Sequence, residues 1–282
     1  MIVSKLPTPL VSVDWLSKHL DDPTLIILDA SIKKVTDTSA SHNEDLQIRG
    51  ARFFDIKKSF SDQDTDLPNM LPSPEYFEEN CRKLGIHMDS KIVVYDTIGI
   101  YSSPRVWWMF RSMGYKNIAV LDGGFPEWTK NSLPTENKEV NTIFPQGNFK
   151  INDRSKCVVN AQDILSEMIS PNSVILDARS HDRFYATTPE PRSDLKSGHI
   201  PSSLNLPYTK VLADQKMLPV ETLKKLFADF DIENKKLIFS CGSGITACII
   251  LLAATLSGYT DVWVYDGSWT EWGQLEGVPI ER

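Results

Sequence analysis

Residues 241–247 read Cys-Gly-Ser-Gly-Ile-Thr-Ala, a spacing that sets a thiol up to react. Leu237-Ile238-Phe239 leads in like the end of a strand, and the apolar run from Ile249 to Ala254 leads out like a helix. Gly242 and Gly244 allow positive φ and close backbone approach, so the consecutive amides of residues 242–246 can turn toward one point. The helix N-terminus beyond them adds partial positive charge, which favours thiolate over thiol. Cys241 is therefore expected to be a nucleophile, with Gly242, Ser243, Gly244, Ile245 and Thr246 forming a cradle for the anion it handles. Ser243 and Thr246 add hydroxyls; for Thr246 the expected task is to tie down the loop backbone.

The elements that must position this loop occur twice. Leu28-Asp29-Ala30-Ser31 returns as Leu176-Asp177-Ala178-Arg179, and Met70-Leu71-Pro72 as Met217-Leu218-Pro219. Lys91 to Asp96 matches Lys236 to Cys241, and Asp122-Gly123-Gly124 with Trp128 matches Asp266-Gly267-Ser268 with Trp272. A constant order at an offset of about 145 residues is tandem duplication of a domain, since the period is far too long for a solenoid. Ser12 and Asn160 are placed to cap helices whose apolar residues fall on one face. Continuous apolar runs such as Leu25-Ile26-Ile27-Leu28, Ile92-Val93-Val94 and Val174-Ile175-Leu176 suit strands covered on both faces. The alternation predicts an α/β fold: tandem domains, each a parallel sheet flanked by helices on both faces, with ligands beyond the C-terminal strand ends where Cys241 falls. The expected bounds are residues 1–137 and 158–282, joined by a polar linker over 138–157 that contains Pro145 and Gly147.

Only the second copy carries the thiol. Asp96 stands at the cysteine position of the first, so that domain is expected to be catalytically silent. Two readings stand for Tyr101 in its loop, lining a substrate cleft or packing between elements. Trp107 and Trp108 are read as core or interface.

Bulk properties narrow the partners. A net charge of -7 gives no reason to expect nucleic acid, and the longest apolar run, within 247–256, is about half a membrane span. No signal-peptide pattern opens the chain. Four cysteines without paired spacing suit reduced thiols and a cytoplasmic setting. The five histidines make no metal-ligand cluster with them, so neither metal nor cofactor is expected. Cys248, among apolar neighbours, reads as a buried core thiol.

The loop from Cys241 to Ala247 resembles that of the rhodanese-like sulfurtransferases, whose usual form has Val where this chain has Ile245. Tyr101 to Trp108, Glu190-Pro191-Arg192 and Tyr265 to Trp269 extend the resemblance over nearly the whole chain, most closely to the mercaptopyruvate branch. The resemblance implies attack of Cys241 on the sulfur of 3-mercaptopyruvate, release of pyruvate, and passage of the persulfide sulfur to a thiol such as thioredoxin or a small thiol, or to cyanide. It implies a proton-handling or orienting part for Ser243, and a substrate clamp by Arg183 and Arg192, which match the family's two arginines. Guanidinium forks suit a planar carboxylate. Arg179 and His199 read as structural.

Two rival readings follow from the same resemblance, a thiosulfate sulfurtransferase and a non-catalytic binding module of this fold. The neutral loop between Cys241 and Cys248 favours a monoanionic donor over thiosulfate. A cysteine phosphatase would need arginine where Ala247 stands. One departure is plain: the branch commonly has His-Ile-Pro-Gly in its first domain, and this chain reads Gln47-Ile48-Arg49-Gly50. Glutamine carries no proton near neutral pH, so a serine–histidine–aspartate relay is not expected. Asp37 and His42 are the nearby candidates to stand in for its missing members.

Overall fold

A computed structural model describes residues 5–33, 45–138, 142–151 and 157–282; Asp37 and His42 lie outside the described residues. The chain forms two compact units. Unit 1 comprises Met1–Gln63, Leu71–Ser155 and Asp214–Lys216, and unit 2 comprises Asp64–Met70, Lys156–Ala213 and Met217–Arg282.

Unit 1 contains β1 (Leu10–Val11), α1 (Val13–Lys18), β2 (Leu25–Asp29), β3 (Leu46–Ile48), β4 (Ala51–Phe53), α2 (Pro74–Lys83), β5 (Lys91–Tyr95), α3 (Ser103–Ser112), β6 (Ile118–Leu121), α4 (Gly124–Lys130) and β7 (Thr135–Asn137). Its parallel sheet runs β1-β6-β5-β2-β4. Every residue of β5 is buried, as the apolar run from Ile92 to Tyr95 requires, and Lys91 at its start is paired with Asp22. Val93 and Tyr95 face a core with Leu16 of α1 and Phe125 and Trp128 of α4, while α3 packs along β5 and β6. Ser12 caps α1, its hydroxyl accepting from Trp15 N at 3.1 Å. Trp107 and Trp108 are both buried within this unit.

Unit 2 repeats the plan with β8 (Val158–Val159), α5 (Ala161–Glu167), β9 (Ser173–Asp177), α6 (His181–Phe184), β10 (Leu204–Asn205), α7 (Val220–Ala228), α8 (Ala247–Leu256), α9 (Ser268–Trp272), and the strands β13 (Lys236–Ser240) and β14 (Val262–Tyr265). Between β10 and α7 lie the short strands β11 (Leu212–Ala213) and β12 (Lys216–Met217). The order β10-β9-β13-β14-β8, again all parallel, is that of unit 1 strand for strand. Asn160 caps α5 in a reciprocal box with Asp163. Helix α8 has no charged residue and buries every side chain from Ala247 to Ala254, so it is a core helix rather than an amphipathic one. Burying each of its Leu and Ile side chains contributes about 1.5–3 kcal/mol, which anchors the loop that precedes it. Among the described residues no helix is long and apolar enough to cross a membrane.

The duplication extends to single hydrogen bonds. Trp128 Nε1 donates to Pro134 O at 3.0 Å, and Trp272 Nε1 to Pro279 O at 3.1 Å. Ala30 N donates to Tyr95 O at 2.9 Å, and Ala178 N to Ser240 O at 2.8 Å. These last bonds align the ends of the two central strands in each sheet, and the next residue along is Asp96 in one and Cys241 in the other.

Candidate active site

Cys241 follows the last residue of β13 and is 1% exposed. The first turn of α9 supplies its nearest polar partners. Trp269 N donates to Cys241 O at 3.0 Å and Thr270 N to Gly242 O at 2.8 Å, so two amides at a helix start satisfy two loop carbonyls. Thr270 Oγ1 donates to Gly242 O as well, at 2.6 Å. Because a peptide's N–H and C=O point in opposite directions, these bonds turn the amides of Gly242 and Ser243 away from α9. Ser268 Oγ accepts from Cys241 N at 3.2 Å, donates to Tyr265 O at 2.8 Å, and lies 4.0 Å from Cys241 Sγ.

The copy with Asp96 at the cysteine position shows what this loop shape holds. Asp96 Oδ1 accepts from Ile98 N at 3.0 Å and Gly99 N at 3.1 Å. Its Oδ2 accepts from Tyr101 N at 2.9 Å, Ser102 N at 3.0 Å, Ser103 N at 2.9 Å and Ser103 Oγ at 2.6 Å. Phe125 N donates to Asp96 O at 3.0 Å, the counterpart of the Trp269 bond to Cys241. The loop is therefore an anion cradle filled by its own carboxylate. By repeat alignment the matching amides in unit 2 are those of Ser243, Gly244, Thr246, Ala247 and Cys248, of which Cys248 N donates to Ile245 O at 3.2 Å.

The two glycines of the reactive loop have different tasks. Gly244 sits at φ +77°, where a side chain would be strained. Gly242 has no positive φ and serves by close approach instead. A Cβ at Gly242 would stand 3.2 Å from Arg183 Nη2, so its bare backbone admits the guanidinium. Ile245 is 5% exposed, and its carbonyl accepts from Cys248 N at 3.2 Å. Thr246 precedes α8 without a side-chain capping bond. The Cys248 thiol is buried and donates to Gly244 O at 3.4 Å.

Both candidate clamp residues lead to Gly242. Arg183 lies against it and is fixed from behind by Glu190, with Nη2 2.5 Å from Oε2 and Nε 3.3 Å from Oε1. Arg192 Nη1 donates to Thr270 Oγ1 at 2.8 Å, and that hydroxyl in turn donates to the Gly242 carbonyl. Arg179 is fully buried between Asp177, Glu190 and the carbonyl of Gly198, with its guanidinium 4.2 Å above the Trp269 ring. Burial opposes its charge, but the two carboxylates outweigh burial and hold the guanidinium more firmly protonated than usual. His199 stacks on Phe184 at 3.8 Å with Nδ1 3.0 Å from Phe184 O, a packing role.

Sequence reasoning missed Ser268, Thr270 and Glu190. Ser268 and Glu190 lie in blocks that stood out as motifs, Tyr265 to Trp269 and Glu190-Pro191-Arg192, and Thr270 directly follows the first, but only the reactive-looking residues there drew a role. Gln47 proves to be structural. It lies in β3, opposite Glu136 in the antiparallel pair with β7, and its Nε2 donates to Ala51 O at 3.0 Å and Glu136 Oε1 at 2.9 Å.

The family model described as rhodanese-like domain matches residues 12–131 and again 160–275. The chain belongs to the rhodanese-like family. Among its relatives is 3-mercaptopyruvate sulfurtransferase of Escherichia coli, 36% identical over 96% of this chain and 97% of the relative. Thiosulfate/3-mercaptopyruvate sulfurtransferase 1 of Arabidopsis thaliana, a mitochondrial protein, is 39% identical over 97% of this chain and 78% of the relative. The crystal structure of SseA from Escherichia coli, a 3-mercaptopyruvate sulfotransferase with the rhodanese fold, matches with a TM-score of 0.81 at 36% identity, covering 93% of this chain and 99% of that one. The rhodanese-like duplication read from the sequence thus matches both copies of the family domain, and the α/β fold of parallel sheets agrees with it.

Proposed function

We propose that this rhodanese-like protein is a sulfurtransferase that takes sulfur from 3-mercaptopyruvate on Cys241 and passes it to a thiol. The observation that carries the reading is the pair of matched loops. One closes on a carboxylate fixed in the chain, and the other leaves the same position to a thiol. A cradle that binds a built-in anion in unit 1 has the polarity to hold a sulfur anion in unit 2.

The Cys241 thiolate attacks the sulfur of the donor. As the new S–S bond forms, the carbon–sulfur bond breaks and its electron pair goes to carbon, giving the enolate of pyruvate. A proton on that carbon completes pyruvate, and Cys241 is left as a persulfide. An acceptor thiolate then attacks the outer sulfur, the S–S bond breaks, and the Cys241 thiolate returns. Arg183 and Arg192 bind the donor carboxylate, with Glu190 keeping Arg183 in place and Thr270 doing so for Arg192. Thioredoxin or a small thiol suits the acceptor step. Four cysteines without paired sequence spacing suit a cytoplasmic setting.

The deciding experiment is intact-protein mass after brief incubation with 3-mercaptopyruvate or, separately, thiosulfate. Wild type is expected to gain one sulfur, about 32 Da on the thiolate nucleophile, with mercaptopyruvate preferred, and Cys241→Ser to gain none. Preference for thiosulfate, a donor also named for the Arabidopsis relative, would reassign the donor. No gain from either would leave the chain a binding module.

A further inference from the structure

The segment Asp64–Met70 leads into Leu71-Pro72 of the first repeat, yet it is part of the compact unit that contains Cys241. Within that unit Asn69 holds φ +61°, a left-handed conformation that asparagine tolerates better than most residues. Its Nδ2 donates to Ser243 O at 3.2 Å and to Ser243 Oγ at 3.3 Å. The direction is unambiguous, because a backbone carbonyl only accepts and the amide oxygen could not face it. A serine hydroxyl has one hydrogen and two lone pairs. Since Oγ accepts from Asn69, its single hydrogen points elsewhere.

We infer that Asn69 is a positioning residue for sulfur transfer. It pins the Ser243 peptide and sets the hydroxyl rotor so that the O–H is offered to the bound donor instead of turning onto the loop. The inference rests on the sulfurtransferase reading above and adds to it a residue supplied by the first repeat. Asn69 itself need not touch the donor.

The test is single-turnover sulfur loading, followed by pyruvate release and intact mass, for wild type, Asn69→Gly, Asn69→Asp, Ser243→Ala and the double variant Asn69→Gly/Ser243→Ala. Glycine keeps the backbone conformation and removes the amide. Aspartate keeps the shape but sets an acceptor against two acceptors. Asn69→Gly is expected to load about five- to tenfold more slowly, the size of one or two neutral hydrogen bonds. The donor concentration at half-saturation should move less than about twofold. Asn69→Asp should be slower than Asn69→Gly. In the Ser243→Ala background Asn69→Gly should have a much smaller effect, because the hydroxyl it orients is gone.

Loading by Asn69→Gly at the wild-type rate would overturn the inference. So would an equal slowing with and without the Ser243 hydroxyl, which would mark a purely structural contact. If wild type takes no sulfur from mercaptopyruvate the donor assignment fails, and the same comparison with thiosulfate then decides the role of Asn69. Loading from neither donor would sink both.

Discussion

Ser268 holds φ +51° at the position where Gly124 holds φ +53° in the other repeat. Unit 1 fills this left-handed site with the residue that meets no steric penalty, while unit 2 fills it with a serine that does. The serine is fully buried and its hydroxyl meets both the backbone and the sulfur side of Cys241. Local strain beside the nucleophile is thus offset by a hydrogen bond that glycine cannot make.

Replacing Ser268 separates the two effects. Ser268→Ala keeps the strain and loses the bond to Cys241 N, and should lower stability by about 2–3 kcal/mol. Ser268→Gly loses the same bond but relieves the strain, and should be about 1 kcal/mol more stable than the alanine variant. Urea unfolding of both proteins measures the difference. Equal stabilities would mean that the backbone at this position is not strained.

Asp96→Asn tests the filled cradle. The carboxylate accepts from five amides and a hydroxyl, whereas an asparagine would turn an NH2 group toward some of those donors. The expected loss is about 2–4 kcal/mol of stability, seen as a lower unfolding midpoint. Sulfur transfer per folded molecule should be unchanged, because the nucleophile lies in the other copy.

Gln47→His restores the residue common in the mercaptopyruvate branch at this position. Gln47 holds Ala51 O and Glu136 Oε1, and Gly50 N donates to the same Glu136 oxygen at 2.9 Å. Breaking this arrangement should cost about 1–2 kcal/mol and leave the rate unchanged. Turnover that rises in a steady-state assay would show that the missing histidine limits catalysis.

Acid sensitivity should be traceable to one ion pair. Lys91 Nζ stands 2.6 Å from Asp22 Oδ2, and this bond, with those from Thr24, holds the Asp22 carboxyl down at about 2. A carboxyl depressed in the folded state stabilises the protein fully above its unfolded value of 3.8, and that contribution is lost as pH falls through about 2. The full effect is about 2 kcal/mol. The stability gap between wild type and Asp22→Asn in urea should therefore be widest at pH 6 and about half as large at pH 3. A gap that does not change with pH would remove Asp22 as the cause.

The reactive loop was legible because strand, glycines, cysteine and helix are contiguous, and local chemistry is what a sequence displays. The paired strands were legible because β2, β5, β9 and β13 are apolar on both faces. The role of Gly242 was not, since the residue that needs its bare backbone, Arg183, is distant in sequence. Ser268 and Asn69 escaped notice for a related reason. Only the folded chain brings Ser268, at the start of α9, to Cys241 and Asn69 to Ser243. Gln47 was read against a family pattern, although the residue opposite it in the sheet, Glu136, determines what it does.

The membership of the two compact units bears on how such a duplicated protein can evolve. Residues Asp64–Met70 of the first repeat belong with unit 2, and Asp214–Lys216 of the second belong with unit 1. A gene fragment encoding only the second repeat would keep Cys241 and both arginines yet lack Asn69. Deleting the copy that has Asp96 at the cysteine position would thus take away part of the compact unit that contains Cys241. The half that has Asp96 at the cysteine position therefore lends a stretch of its polypeptide to the half that has Cys241.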